Sequence, residues 1–186
     1  DRLGCAGMSL VLISIGSNIE REHHVRVCLD ALEATFGNLT LSSIYESEPV
    51  GFVDGRNFLN LVAGFESDWS VGELQAWCKQ LELANGRLKN SAKFSPRTLD
   101  LDLLTVGTLT GEVDGVMLPR DEVDRNAFVL LPLAESFGEE RHPVTGKDYA
   151  SLWKAFVAAG RAEQQPLWPV DFSWRCRMIS RADATV

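Results

Sequence analysis

Two carboxylates alternate with three leucines in the segment at residues 99–103, where Asp100 and Asp102 are the acidic positions. Successive side chains of a strand point to opposite faces, so both carboxylates would share one face and the leucines the other. Their backbones would be roughly 7 Å apart, and their oxygens could reach one or two hard cations. Mg²⁺ suits such a pair because it accepts carboxylate oxygens and leaves coordination positions for phosphates.

Two arginines close to this pair in the sequence could bind a phosphate group. Arg97 precedes Asp100 by three residues, and Arg87 lies in the polar stretch before it. A guanidinium can bind phosphate oxygens through two parallel hydrogen bonds, and phosphoryl-type transfer depends mainly on cations, guanidinium groups and positioning. A second interpretation stays open at this point, because alternating aspartates are also common on the solvated face of a half-buried sheet.

The elements that must position these residues are predicted in the order β-α-β-β-α-β. Apolar and β-branched runs predict strands at residues 10–15, 39–45, 58–65 and 98–106. Apolar residues at helical spacing predict one helix that ends at Gly37 and a second between Ser70 and Gly86, where Ser70 and Glu73 form a capping-box pattern. This order predicts an α+β, ferredoxin-like fold, with an antiparallel sheet and helices on one face.

The 186 residues suit one domain, which we expect to span residues 8–160. After the fourth strand we predict a hairpin turn at residues 107–115, a short helix at 125–136 that is interrupted by Pro132, and a helix at 149–159. Leu152, Phe156 and Val157 would face inward from that last helix. Residues 1–7 are expected to be a tail, and residues 161–186 a C-terminal extension with no assigned role.

The composition restricts the partners and the compartment that we expect. The net charge is −8, and such an acidic surface repels phosphate backbones, which argues against nucleic-acid binding. The longest apolar runs are far too short to span a bilayer, and no signal peptide is recognised. Cys28 and Cys78 fall on apolar helix faces, so we expect a reduced, cytoplasmic protein without a disulfide framework.

Residues 95–104, Ser-Pro-Arg-Thr-Leu-Asp-Leu-Asp-Leu-Leu, resemble the signature of the 6-hydroxymethyl-7,8-dihydropterin pyrophosphokinase family of folate-pathway enzymes. Further blocks at residues 13–18, 42–51, 58–60, 81–87 and 128–133 are similar to the family as well. The resemblance covers residues from about 10 to 152. It implies transfer of pyrophosphate from ATP to the hydroxymethyl group of the pterin, with release of AMP.

The resemblance implies roles for residues on the metal and nucleotide side. Asp100 and Asp102 would bind two Mg²⁺ ions. Arg87 and Arg97 would act as catalytic residues that contact the phosphates, with Arg87 on a loop that closes over the site. Further nucleotide contacts are implied for Glu82 and Leu103.

On the pterin side, the resemblance implies that Phe58 and Phe128 sandwich the ring, as offset stacking of flat aromatics allows. Asn60 would read the polar edge of the pterin, since an amide offers both a donor and an acceptor. Ser47 and the backbone near Val50 would add hydrogen bonds.

The sequence departs from the family pattern after the fourth strand. Arg120 stands where the family has a histidine, Asp121 where it has a tyrosine, and Asn126 where it has an arginine. Arg120 and Arg125 are expected to bind the nucleotide and to supply the missing positive charge, since a guanidinium binds phosphate well.

Three alternatives follow from these departures: an active enzyme with a divergent ATP pocket, a slow paralogue or one that uses another nucleotide, and a pterin-binding protein without catalysis. The alternative from another class is a catalytically weak pterin-binding or regulatory module that kept the fold, and a weaker one is a ferredoxin-like interaction domain in which the strand with Asp100 and Asp102 is only solvated. The partners implied by the resemblance are small-molecule substrates, with contact to other folate-pathway enzymes left open.

Overall fold

The structure, a computed structural model, describes residues 7–49, 56–86 and 98–184. The first half of the chain contains β1 (Ser9–Ser17), α1 (Arg21–Phe36), β2 (Thr40–Leu41), β3 (Tyr45–Ser47), β4 (Phe58–Ser67), α2 (Val71–Ala84) and β5 (Asp100–Val106). The second half contains β6 (Gly111–Val113), β7 (Val116–Leu118), α3 (Ala127–Ser136), α4 (Tyr149–Ala158), β8 (Leu167–Pro169), β9 (Phe172–Trp174) and β10 (Arg177–Ser180), with 3₁₀ turns at Asp121–Asp124 and Ala162–Gln164.

The main sheet has the strand order β5-β1-β4-β3-β8, and β2 pairs with β4 beside this path. Every pairing in this sheet is antiparallel. The first four strands of the path, with α1 and α2 as the crossovers, form the predicted ferredoxin-like arrangement. The α+β fold class is therefore confirmed.

One face of the sheet is covered by α1 and α2. Its core is built from the apolar stripes of both helices and the odd-numbered residues of β1, β4 and β5, which include Ile13, Leu61 and Leu101. The capping box predicted at Ser70 is present: the Glu73 amide donates to Ser70 Oγ, and the Ser70 amide donates to the Glu73 carboxylate. Cys28 and Cys78 are fully buried in this core, as expected for small apolar side chains.

The other face of the sheet is half covered by the C-terminal helices. A second core joins Leu12, Val62 and Leu104 of the sheet to α3 and α4. Pro132 lies inside α3, which runs from Ala127 to Ser136 without the interruption expected at that residue. The helices of the ferredoxin-like core lie on one face, while Ser14 and Asn60 are buried polar residues of the second face.

Three further predictions need correction, two of strand bounds and one of side-chain orientation. The strand expected at residues 39–45 is interrupted at Ser42, whose hydroxyl accepts a hydrogen bond from the Val62 amide and so takes part in the ladder in place of regular pairing. The strand expected from residue 98 begins at Asp100. Val157, expected to face inward, is 49% exposed, because only Phe156 of that pair reaches the core.

Residues after 160 pack against both cores of the sheet. Strand β8 pairs with β3, so Leu167 lies opposite Ser47. The β9–β10 hairpin is held against α1, where the Trp174 indole N–H donates to Asp30 Oδ1 at 2.9 Å. None of the described helices is long and apolar enough to cross a membrane.

Candidate active site

Three neighbouring strands place polar residues in one row across the sheet. Gly16 of β1 lies opposite Asp100 of β5 on one side and opposite Asn60 of β4 on the other. Two residues further along each strand, Ser14 lies opposite Asp102. Cross-strand partners share a face, so these side chains all lie on the face that carries α3. Asp100 and Asn60 are thus separated by Gly16, which has no side chain, while Asp102 lies beside Ser14.

The Asp102 carboxyl is in an unfavourable place for an isolated negative charge. Burial is the main cause that raises its pKa to about 7, and the neighbouring charge of Asp100 adds to the rise. Glu122 and Glu82 act in the same direction, while Arg120 opposes them. The two aspartates therefore form a like-charge pair that a cation would stabilise.

Arg120 places its guanidinium beside this pair. Its Nη2 is 3.2 Å from Asp102 Oδ1, and its backbone amide donates to the Leu104 carbonyl at 2.9 Å. Its Nε–H is buried without a hydrogen-bond acceptor among the described residues, since the Glu122 carboxylate is 3.7 Å away. The backbone is thus fixed, while the side chain, 40% exposed, borders solvent.

Arg125 lies away from this contact. It pairs with Asp121 at 3.6 Å in an exposed i,i+4 ion pair. Such exposed pairs contribute little to stability, so this contact does not hold Arg125 firmly in one orientation.

Glu82 and Leu103, both expected near the nucleotide, are buried. Glu82 is 1% exposed, and its carboxylate accepts a hydrogen bond from the Leu101 amide at 2.9 Å and lies 3.3 Å from Lys79 Nζ. Leu103 is 1% exposed, and its side chain packs in the core under α1 and α2. A nucleotide contact by Leu103 would therefore have to use its backbone.

Asn60 is oriented from both sides. Its Nδ2 donates to Ser47 Oγ at 2.9 Å on β3. On the opposite side, a Cβ added to Gly16 would stand 3.0 Å from Asn60 Oδ1 and 3.7 Å from Phe58 Cδ1. The amide therefore rests against the bare backbone of Gly16, with its Nδ2 directed to Ser47.

The two aromatics expected to bind the pterin are both half-buried and belong to different elements. Phe58 begins β4 on the α3 face, and Phe128 lies in the first turn of α3 and packs at the edge of the second core. Gln165 fixes the start of that helix, since its Oε1 accepts from the Ala127 amide at 2.8 Å and its Nε2 donates to the Arg125 carbonyl at 3.1 Å.

Three predicted site residues, Val50, Arg87 and Arg97, lie outside the residues that the structure describes. Two residues that sequence reasoning did not assign belong to the site region. Gly16 separates Asp100 from Asn60, and the Ser17 hydroxyl donates to the Thr98 carbonyl at 2.5 Å, which joins the end of β1 to the entry of β5. The family-like block at residues 13–18 was the signal in the sequence that could have pointed to these two residues. Only the strand register shows which residues lie beside Gly16.

Comparison with known proteins decides the family. The sequence profile described as 7,8-dihydro-6-hydroxymethylpterin-pyrophosphokinase (HPPK) matches residues 12–137, which is more than half of the chain. The chain belongs to the HPPK family. The matched range contains Gly16, Asn60, both aspartates and Phe128, so the row across the sheet lies within the HPPK region.

Two bacterial HPPK enzymes are similar over most of their length. The 2-amino-4-hydroxy-6-hydroxymethyldihydropteridine pyrophosphokinase of Bacillus subtilis is 34% identical over 130 residues, which cover 68% of this chain and 77% of that protein. The enzyme of the same name from Pseudomonas aeruginosa is 32% identical over 136 residues, covering 72% and 83% respectively. Both alignments are long enough to include most of the HPPK core.

A solved structure supports the fold of the whole chain. The HPPK-DHPS protein of Plasmodium falciparum, crystallised with pterin and p-hydroxybenzoate, superposes with a TM-score of 0.68 at 13% identity. The superposition covers 96% of this chain, and this chain spans 50% of the length of that one. At this identity the similarity concerns the HPPK fold alone.

Proposed function

We propose that this chain transfers pyrophosphate from ATP to the hydroxymethyl group of 6-hydroxymethyl-7,8-dihydropterin and releases AMP, as a step of folate biosynthesis. The observation that carries the proposal is the row Asp100–Gly16–Asn60 across three strands, within a chain of the HPPK family. It brings carboxylates suited to a metal–phosphate complex next to an amide suited to a heterocycle edge.

Mg²⁺ is the cation that the carboxylates fit. Asp100 and Asp102 offer hard oxygen ligands on one strand face. Burial and, after it, the neighbouring charge of Asp100 raise the pKa of Asp102, and a divalent ion would offset both effects. We propose two ions, held by these two residues together with phosphate oxygens. Bound Mg²⁺ supplies neutralisation of the phosphate charge during transfer.

The pterin would lie beside α3, on the face of the sheet that carries Phe58 and Asn60. Phe58 and Phe128 are proposed to stack on its two faces, and Asn60 to bond its polar edge with the Oδ1 and the N–H that Ser47 leaves available. Ser47 and the backbone near Val50 are proposed to complete this side. The hydroxymethyl arm would then extend over Gly16 toward the aspartates.

The chemical step needs positioning more than covalent help from the protein. The pterin hydroxyl oxygen attacks the β-phosphorus of ATP in line, a new O–Pβ bond forms, and the bond from Pβ to the oxygen that bridges to Pα breaks. AMP leaves with that oxygen, and the hydroxyl proton is released. Arg87 and Arg97 are proposed to hold the phosphates as the catalytic arginines, and Arg120 and Arg125 to bind the nucleotide.

The nucleotide contacts expected for Leu103 and Glu82 are proposed in a form that fits their burial. Leu103 can contribute through its backbone, since its side chain is in the core. Glu82 is proposed to support the nucleotide site indirectly by holding β5, because its carboxylate accepts a hydrogen bond from the Leu101 amide.

The test is incubation of the protein with Mg²⁺, ATP and 6-hydroxymethyl-7,8-dihydropterin, followed by separation of the nucleotides. Formation of AMP in step with loss of the free pterin is expected. ADP as the product would refute the pyrophosphate mechanism, and tight pterin binding without nucleotide turnover would favour the catalytically inactive binding protein.

Partners and compartment follow from the same proposal. The principal partners are the two small-molecule substrates, and another folate enzyme is a reasonable neighbour because the matched Plasmodium falciparum protein is an HPPK-DHPS chain. We propose a cytoplasmic location, since Cys28, Cys78 and Cys176 are free thiols, as is usual in a reducing compartment.

A further inference from the structure

Arg120 contacts a carboxylate that the proposed function reserves for a cation. Its guanidinium is 3.2 Å from Asp102 Oδ1, close enough to neutralise that carboxylate in the protein without ligands. A divalent ion bound by Asp102 and an arginine at this distance would repel each other. The arginine therefore opposes the binding of an ion at the same carboxylate.

The local charges allow the guanidinium to leave Asp102 when a phosphate arrives. The Arg120 backbone amide is hydrogen-bonded to the Leu104 carbonyl of β5. The side chain can therefore reorient without displacing that strand. Its buried Nε–H lacks an acceptor among the described residues, and a phosphate oxygen would satisfy it. The Glu122 carboxylate, 3.7 Å from Nε, is too distant for a hydrogen bond and does not fill that role.

We propose that Arg120 is an exchangeable counter-ion: it occupies Asp102 in the ligand-free enzyme and transfers to the nucleotide phosphates when the metal binds. Cation and nucleotide then favour each other's binding, because the phosphates remove the charge that opposes the ion. The same side chain thereby discourages a cation from binding before the nucleotide. This inference rests on the proposed function for the identity of the nucleotide, while its cation half concerns only Asp102 and Arg120.

The experiment measures two affinities in the full chain at pH 8.5, where Asp102 is ionised. Free Mn²⁺, a spectroscopic substitute for Mg²⁺, is titrated by electron paramagnetic resonance without nucleotide. Arg120→Ala removes a unit positive charge about 5 Å from a divalent ion bound at Asp102, because the guanidinium is 3.2 Å from the carboxylate and the ion would be about 2 Å from it. In a water-like medium that repulsion corresponds to about a tenfold change in affinity, so Arg120→Ala should bind Mn²⁺ about tenfold more tightly than wild type. With saturating Mn²⁺, the same variant should bind α,β-methylene-ATP about tenfold more weakly.

Arg125→Ala is the matched control, since it removes an equal charge from a nearby arginine that pairs with Asp121 instead of Asp102. Its Mn²⁺ affinity without nucleotide should equal that of wild type. Arg120→Gln, which keeps a polar side chain of intermediate length, is the second variant if Arg120→Ala does not fold, and it should show the same two changes.

Opposite changes in the two affinities support the exchange. A purely structural role of Arg120 would weaken both ligands together, and that result would overturn the proposal, as would an unchanged Mn²⁺ affinity, an unchanged nucleotide affinity or an equal gain in Arg125→Ala. A wild-type enzyme that forms no AMP would refute the proposed function but would leave the Mn²⁺ comparison interpretable.

Discussion

The buried carboxylate of Glu82 accepts a hydrogen bond from the backbone amide of Leu101, the strand residue between the two site aspartates. Strand β5 is at the edge of the sheet formed by the described residues, so within that part of the chain no neighbouring strand receives this outward N–H. Helix α2 supplies the acceptor in place of a strand. The bond therefore ties the strand that carries Asp100 and Asp102 to helix α2, at the residue between the two carboxylates.

Glu82→Ala should lower the free energy of unfolding by about 1–3 kcal/mol, because it leaves the buried Leu101 amide without an acceptor. Turnover should also fall, since Asp100 and Asp102 lie on either side of that amide. Glu82→Gln keeps an acceptor of the same length and should retain most of the stability. Urea denaturation and AMP formation measure the two effects, and equal losses in both variants would contradict the role of this bond.

Gly16→Ala should weaken pterin binding about tenfold while leaving α,β-methylene-ATP binding nearly unchanged. The new methyl would stand 3.0 Å from Asn60 Oδ1, so the amide must move from its place against the strand. Fluorescence titration with 6-hydroxymethylpterin measures the loss.

The double variant Gly16→Ala/Asn60→Ala isolates the cause of that loss. If the methyl acts through Asn60, it should cost little pterin affinity in the Asn60→Ala background. A full, additive loss in the double variant would show that Gly16 does not act on the amide.

Asp100→Ala and Asp102→Ala should each abolish AMP formation and leave the fold intact. Removing one member of a like-charge pair relieves repulsion, so the thermal midpoint should stay the same or rise. Asp121→Ala, which removes an exposed acid of the neighbouring 3₁₀ turn, provides the control for net charge. Wild-type rates in either site variant would eliminate the metal assignment.

Trp174→Phe should destabilise the protein at pH 7 by about 1 kcal/mol through loss of the indole bond to the largely exposed Asp30. That bond is the main cause that lowers the pKa of the Asp30 carboxyl, with a smaller effect of Arg175. A lowered pKa stabilises the folded state above the ordinary aspartate pKa near 4, and this contribution disappears as pH falls through the folded value.

Urea midpoints at pH 7, 5 and 3 test this dependence. The difference between wild type and Trp174→Phe should be constant from pH 7 to 5 and smaller at pH 3. A difference that does not change with pH would mean that the indole stabilises the hairpin by packing alone.

The sequence predicted those parts of the fold whose signals are local. The alternation around Asp100 and Asp102 predicted a strand with both carboxylates on one face, and the Ser70–Glu73 pair predicted the start of α2. These features depend on residues within a few positions of one another. The β-α-β-β-α-β order then followed from their sequence along the chain.

The remaining features depend on contacts between distant residues. The Glu82 carboxylate meets an amide 19 residues later, and Trp174 meets Asp30 across 144 residues. Strand β8 has three residues and pairs with β3, a contact that no local pattern encodes. Arg120 could be named as a basic residue in place of a histidine, but its contact with Asp102 required the fold.

The position of the label in the product tests the central claim most directly. Parallel reactions with ATP labelled at the β-phosphorus and at the γ-phosphorus, with 6-hydroxymethyl-7,8-dihydropterin and Mg²⁺, separate pyrophosphate transfer from ordinary phosphoryl transfer. Attack at the β-phosphorus predicts that both labels appear in the pterin product, with unlabelled AMP as the other product. Transfer of the γ label alone, with the β label retained in ADP, would contradict the account.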